Sequence, residues 1–329
     1  MSSNGEVFQV GLGGLLEGEA PTACCAPGRH GKPTPAHPEV PSGARSLRGQ
    51  VRIAGGVFAM GDAFGEGYEA DGERAVHDVE LAPYFMDVTA VTNASFATFV
   101  KATGYVTSAE REGTSAVFHL AVADQRRHVR GAVPGTPWWL VVEGASWRAP
   151  AGPGSSVARL SNHPVVHMSS QDARSYARWA GKRLPTEAEW EHAARGGLAG
   201  ARYPWGDELT PGGRHLANIW QGDFPVANTL DDGYLTTAPV KAFRPNGYGL
   251  HNMAGNVWEW CTDWFASDYY ARSPRTAPGG PDTGTARVIR GGSYLCHASY
   301  CNRYRVAARS SAPPDSSTAN LGFRCANDA

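Results

Sequence analysis

Charge of a single sign is what this chain most lacks. In 329 residues, 30 Lys and Arg stand against 31 Asp and Glu, a net charge of −1. Without a basic surplus there is no electrostatic case for nucleic acid or an anionic membrane as partner. No apolar run approaches the length that spans a bilayer. The opening residues, Met-Ser-Ser-Asn-Gly-Glu, carry neither a basic n-region nor a following apolar h-region, so no secretory signal is expected. Cysteine is sparse, at six residues. Without export, that number points to reduced thiols and a cytoplasmic location. Helical His-Glu-x-x-His and the phosphate-binding P-loop are both missing, which removes the commonest zinc-hydrolase and nucleotide signatures.

Glycine (40) and proline (23) are plentiful instead. They predict an α+β fold with many turns, irregular loops and little regular secondary structure. Residues 1–47 hold Cys24-Cys25 and a run of prolines with almost no apolar periodicity. They read as a disordered extension, and 48–329 as one domain. The adjacent Cys24-Cys25 could relay thiols to an active site or be two solvated thiols in a tail. Short strands are expected at Val51–Ile53 and Val57–Met60 around a glycine-marked bend, then at 77–81 and 84–88. Asn93 is read as the N-cap of a helix burying Phe96, Phe99 and Val100 and ending near Gly104. From there to Pro164 the pattern is irregular, with Trp138, Trp139 and Trp147 as core anchors. Ser169 or Ser170 starts a second helix closed at Gly181. Thr186 with Glu189 forms a capping box for a third, stopped by Gly196-Gly197. Its Trp190 and Ala193-Ala194 face inward, while Glu187, Glu189 and Glu191 read as a solvated face near the positive helix terminus.

Chemistry concentrates near the C-terminus. Val288-Ile289 reads as a short buried strand that the chain leaves sharply at Gly291-Gly292. A loop follows, Ser293-Tyr294-Leu295-Cys296-His297-Ala298-Ser299-Tyr300-Cys301, which should present Cys296 and Cys301 at the surface. A soft thiolate pair suits Cu(I) and suits hard cations poorly. The same pair could close a small disulfide, cycle between dithiol and disulfide, or be two unrelated buried thiols. Zinc would need a second Cys/His pair at finger-like spacing, and there is none. A second group, Asn218, Asp232, Asn252 and Glu259, offers oxygen donors among tight turns. These are open to calcium or to ordinary Asx-turn hydrogen bonding.

This loop, with Asn302-Arg303-Tyr304-Arg305 and Asn320-Leu321-Gly322-Phe323-Arg324, closely resembles the formylglycine-generating enzymes, the sulfatase-modifying factor family, in its bacterial form. The resemblance extends through Arg183-Leu184-Pro185-Thr186-Glu187-Ala188-Glu189-Trp190-Glu191, Tyr203-Pro204-Trp205-Gly206, Ala217-Asn218-Ile219-Trp220-Gln221-Gly222 and Gly255-Asn256-Val257-Trp258-Glu259-Trp260. It covers roughly residues 50 to 327. It implies a single loop-rich domain with a C-type-lectin-like core. It also implies a copper-dependent oxidase that uses O2 and a thiol reductant. The expected partner is an unfolded or nascent sulfatase polypeptide, whose Cys-x-Pro-x-Arg cysteine becomes Cα-formylglycine. Cys296 and Cys301 then match the Cu(I) ligands. Ser293 and Tyr300 supply hydroxyls for oxygen or substrate, and Trp258, His297 and Asn320 match the pocket. The same resemblance implies two structural Ca2+ ions. One matches Asn218, the Ile219 carbonyl, Asp232 and the Tyr234 carbonyl. The other matches Asn252, the carbonyls of Gly255 and Val257, and Glu259. Val306 stands where secreted animal members carry a disulfide cysteine, which agrees with a reducing compartment and leaves Cys261 and Cys325 as buried thiols. Two other classes share the fold. A sulfoxide synthase would need a histidine-rich helical domain to hold iron, and non-catalytic binding modules lack the thiol pair.

Overall fold

Two glycines fasten the start of the chain to its body. Gly43 donates its N–H to Arg178 O at 3.0 Å, and Ser46 donates to Gly181 O at 3.3 Å. A Cβ on Gly43 would stand 2.0 Å from Trp179 O, and one on Gly181 would stand 1.8 Å from Ala44 O. Only a residue without a side chain permits that approach. The computed structural model describes residue 27 and residues 40–123 and 127–329. Residues 40–47, expected in the extension, therefore belong to the fold, with Val40 buried in the core. Apart from residue 27, the rest of the expected extension, with Cys24 and Cys25, lies outside the described residues.

Strands β1 (Gln50–Ile53) and β2 (Gly56–Met60) form where the glycine bend predicts them, but they do not pair with each other. β2 pairs antiparallel with β3 (His77–Leu81), and β1 with β4 (Tyr84–Asp87). Helix α1 (Asn93–Thr103) is capped by Thr92, whose side chain accepts from the Ser95 N–H, so Asn93 is the first helical residue rather than the cap. Gly104 in the left-handed region ends it. A short α2 (Ser108–Glu112) leads into a three-stranded sheet in a region expected to be irregular: β5 (Thr114–Phe118), β6 (Val129–Val133) and β7 (Thr136–Glu143), ordered β5-β7-β6. Helices α3 (Ser170–Trp179) and α4 (Glu187–Arg195) start at complete capping boxes on Ser169 and Thr186. The hairpin β8 (Gly222–Asp223) and β9 (Ala227–Asn228) precedes β10 (Trp258–Trp264), β11 (Arg287–Arg290), β12 (Arg309–Ala312), β13 (Leu321–Gly322) and β14 (Ala326–Asp328). The central sheet runs β12-β11-β10-β13, and β14 closes a sheet on β4.

Along β10 the side chains alternate between two cores, as a two-residue period requires. Trp258 and Trp260 enter the core built on α1 and α3, while Cys261 enters the one built on α4 and β1–β4. The inward face of α4 is as expected, with Trp190, Ala193 and Ala194 fully buried. Its glutamates are not solvated, however: Glu187 is 2% exposed, Glu189 8% and Glu191 0%. Arg290 reaches Glu191 at 2.5 Å, Arg309 reaches Glu187 at 2.7 Å, and Arg195 reaches Glu191 at 2.6 Å. Burial pushes the Glu191 carboxyl up, but the Arg195 and Arg290 guanidiniums outweigh it and hold the group below its ordinary range.

Asp263 shows the opposite balance. Buried beside Glu187, it accepts that residue's N–H at 2.9 Å, and burial with the Glu187 charge pushes its pKa up to about 8. Between the ordinary 3.8 and about 8 it is protonated when folded and ionised when unfolded, so stability falls as pH rises through that window. Asp263→Asn keeps an acceptor but cannot titrate. The expected result is that calorimetric melting of the wild type declines relative to this variant from about pH 4 to about pH 8. Parallel curves would mean that Asp263 does not titrate there.

Candidate active site and metal-binding loops

β11 ends at Arg290, and Gly291 (φ 95°) and Gly292 (φ 73°) turn the backbone through the left-handed region. A Cβ on Gly292 would meet Arg303 O at 2.7 Å, because the loop returns against its own exit. Two tight turns shape it. Cys296 N–H donates to Ser293 O (2.9 Å), and the N–H groups of Tyr300, Cys301 and Asn302 all donate to His297 O (3.0, 2.9 and 3.2 Å). The two thiols thus flank one turn. The exit is pinned by buried ion pairs, Arg303 with Asp71 at 2.6 Å and Arg305 with Glu73 at 2.8 Å.

Both cysteines are 1% exposed, so the loop lies where the sequence puts it but its thiols do not stand at the surface. The loop is wedged between two cores: Tyr294 and Leu295 pack with β5–β7, while Cys296 and Cys301 pack with the α1–α3 core. Ser293 N–H donates to Cys296 Sγ at 3.4 Å, a polar contact that a thiolate can keep inside the fold.

Ser293, Asn320 and Trp258 meet here. Asn320 Nδ2 donates to Ser293 Oγ (2.9 Å), Thr318 Oγ1 donates to Asn320 Oδ1 (2.6 Å), and Trp258 N–H donates to Asn320 O (2.8 Å). The Trp258 ring is fully buried with Nε1 lacking a hydrogen-bond partner. Tyr300 is fixed through its ring, stacked on Phe224 (4.7 Å, 16°) and edge-on to Trp138 (4.9 Å, 87°). His297 is half-buried. Its ring meets Ser299 Oγ at 2.7 Å, and its carbonyl accepts the three N–H groups of the turn. Phe224, Trp138 and Thr318 were not read from the sequence as site residues. The only local signal was an aromatic residue at the tip of a tight hairpin, Asp223-Phe224-Pro225.

The first oxygen-donor set fits a hard cation. Asn218 is fully buried; its Nδ2 donates to Thr236 O (2.8 Å), and its Oδ1 has no hydrogen-bond partner. Asp232 accepts from the N–H groups of Ile219 (3.1 Å) and Tyr234 (2.9 Å) and from Gln221 (2.9 Å), yet burial still holds its carboxyl above the usual range. A cation held by Asn218 Oδ1, Asp232 and the neighbouring carbonyls of Tyr234 and Ile219, the latter now accepting from Gln221 Nε2, would relieve both the orphaned acceptor and the half-buried carboxyl. The second set fits less well. Asn252 Oδ1 is buried without a partner, but both Glu259 oxygens are already engaged by Arg324 (2.6 and 2.8 Å) and one also by Trp190 Nε1 (2.8 Å). The sets abut, since a Cβ on Gly255 would stand 2.3 Å from Asn218 O. They also touch the thiol loop: Trp220 N–H donates to Cys296 O (3.1 Å) and Tyr294 N–H to Asn256 O (3.0 Å). Among the described residues no group of three or more His, Cys, Asp or Glu could hold a metal ion. A two-sulfur site needs no third such residue.

A family model described as "Sulfatase-modifying factor enzyme 1-like domain" matches residues 36–329. The chain is 68% identical over 310 residues to a formylglycine-generating enzyme of Streptomyces coelicolor, covering 94% of this chain and 95% of that protein. It is 62% identical over 284 residues to one of Thermomonospora curvata, covering 85% and 94%. Among solved structures, PvdO from Pseudomonas aeruginosa shares the fold, with a TM-score of 0.62 at 24% identity over 89% of this chain and all of that one.

Proposed function

The chain belongs to the sulfatase-modifying factor family of formylglycine-generating enzymes, and from that membership we propose that it converts the cysteine of a Cys-x-Pro-x-Arg segment in an unfolded or nascent sulfatase to Cα-formylglycine. The reaction takes up O2 and a thiol reductant. A substrate CH2–SH, one O2 and two reductant thiols give CHO, hydrogen sulfide, water and one disulfide. The observation that carries this reading is the pair Cys296 and Cys301, buried on one turn with a backbone N–H on the Cys296 sulfur.

Cys296 and Cys301 would hold Cu(I), which would supply O2 activation and affinity for the substrate sulfur. The protein does the rest. Burial of both thiols keeps bulk water from the reacting atoms. Asn320 and the Leu295 N–H occupy the acceptor side of the Ser293 hydroxyl (2.9 and 3.3 Å), leaving its proton to donate to oxygen or substrate. Tyr300, held between Phe224 and Trp138, presents its hydroxyl from a fixed ring. We place the reaction in the cytoplasm, where thiol reductants abound, a setting compatible with Cys261 and Cys325 as buried free cysteines.

Intact mass of a Cys-x-Pro-x-Arg peptide tests this, after incubation with Cu(I)-loaded enzyme, O2 and a thiol. Loss of about 18 Da at the cysteine marks thiol-to-aldehyde conversion, which simple sulfur oxidation cannot give. An unchanged mass with copper verified in the protein would overturn the proposal.

Ca2+ would rigidify the loop that supports Cys296 without touching its sulfur. Chelation of Ca2+ is expected to lower the melting temperature by several degrees and to leave bound copper unchanged. A cation at a hundredfold its dissociation constant stabilises by about 2.7 kcal/mol. Melting that ignores both chelator and added Ca2+ would make these loops ordinary turns.

A further inference from the structure

Behind the Ser293 hydroxyl stands a residue to which the proposed reaction gives no role. Thr318 is fully buried, and its Oγ1 donates to Asn320 Oδ1 at 2.6 Å. Asn320 is fully buried too, and its Nδ2 donates to Ser293 Oγ at 2.9 Å. A primary amide offers an acceptor on one side and donors on the other, so whatever fixes one side fixes both. With Thr318 donating to Oδ1, the Ser293 oxygen must meet a donor. Leu295 N–H donates to that same oxygen at 3.3 Å. A hydroxyl has two lone pairs and one proton, and here both lone pairs are taken. Its proton is left to point elsewhere. Were the amide turned over, Oδ1 would accept that proton and withdraw it from any other acceptor.

The Thr318 backbone is held from outside the thiol loop. Its carbonyl accepts from the N–H groups of His167 (2.9 Å) and Leu321 (3.2 Å), and Ala319 N–H donates to Ala116 O of β5 (2.9 Å). His167 is itself fixed, fully buried and in the left-handed region (φ 61°). Its Nδ1 meets Ser115 Oγ of β5 at 2.7 Å and its Nε2 meets Pro150 O at 2.9 Å. A residue other than glycine keeps such a backbone only where its surroundings impose it. Ser115 Oγ also donates to Ser317 O at 2.7 Å. Thr318 therefore takes its place from β5 and the segment before α3.

We propose that Thr318 is a positioning residue: its hydroxyl sets the Asn320 amide, and the amide in turn directs the Ser293 proton toward the oxygen or substrate held beside Cys296. It rests on the functional reading above. Thr318 acts through Asn320 and Ser293, so its loss should be felt in the rate of conversion and not in the binding of metal or peptide.

Two pairs of proteins that differ at this hydroxyl test the proposal: wild type against Thr318→Val, and Thr318→Ser against Thr318→Ala. All are loaded with Cu(I), and conversion of the Cys-x-Pro-x-Arg peptide is followed by mass with O2 and a thiol. Loss of the hydroxyl should lower kcat about tenfold to a hundredfold, the usual scale for removing a group that orients a site residue. KM for the peptide, and Cu(I) affinity by chelator competition, should stay unchanged. Thr318→Ser should keep the wild-type kcat. If Thr318→Val misfolds, the serine and alanine pair makes the same comparison. In Ser293→Ala, assayed over a longer incubation, adding Thr318→Val should bring no further loss, because the proton it directs is gone. A kcat indifferent to the hydroxyl, a Cu(I) affinity that falls with it, or an equal loss in the Ser293→Ala background overturns the role of Thr318 alone. A wild type that makes no formylglycine overturns the functional reading, and this role with it.

Discussion

Cys296→Ser and Cys301→Ser should each retain the fold, lose Cu(I) binding and lose peptide conversion by at least about a thousandfold, the scale on which one member of a catalytic unit is felt. The exchange of sulfur for oxygen is small in volume. In Cys296→Ser the Ser293 N–H that now faces Sγ can donate to a hydroxyl instead. The cost to folding is a buried hydroxyl, about 1–3 kcal/mol where partners are poor. The fold can absorb that. The metal site cannot, because a neutral hydroxyl is a hard, weak donor for Cu(I) and nothing nearby replaces it. Three measurements separate the outcomes: circular dichroism for the fold, competition with a Cu(I) chelator for affinity, and peptide mass for turnover. Full activity in either variant would remove that cysteine from the reaction.

The thiol loop was legible because its signals are local. A buried pair of β-branched residues, two glycines with positive φ and a polar loop follow one another within fifteen residues, and the helix caps at Ser169 and Thr186 are equally short-range. What failed was long-range. Glu187 and Glu191 look solvated because a charged first turn usually is, and their partners Arg290 and Arg309 lie about a hundred residues away. The sheet β5-β7-β6 was missed because Gly131 and two register shifts interrupt β6, and its pairing with β7 gives β6 no period of its own. Burial of the thiols was missed for a related reason: the cores that receive Tyr294, Leu295 and the cysteines come from segments far apart in the chain. Only the family resemblance, and not spacing, joined Asn218 to Asp232.

Glu187→Ala is expected to be among the most destabilising single changes away from the thiols, by about 3–5 kcal/mol, the usual cost of breaking a buried ion pair. Glu187 accepts from Arg309 Nε and Nη2 (both 2.7 Å), from Arg290 (3.3 Å) and from the Tyr270 hydroxyl (3.2 Å). Alanine would leave Arg309 fully buried with two backbone carbonyls, at 3.2 and 3.4 Å, as its remaining acceptors. A chain of this size should lose about 4–7 °C in melting temperature. Glu187→Gln should cost less, since it keeps acceptor geometry on one side while losing the charge. The network also bears on the site. Arg290 donates to the carbonyls of Val306 (2.9 Å) and Ala307 (3.1 Å) and so ties the entry of the thiol loop to its exit. If conversion by Glu187→Ala falls in proportion to the folded fraction, the network supplies stability alone. If Cu(I) affinity drops at temperatures where the variant is still folded, the buried charges also set the distance between the two ends of the loop. The two results separate because affinity is measured on folded protein only.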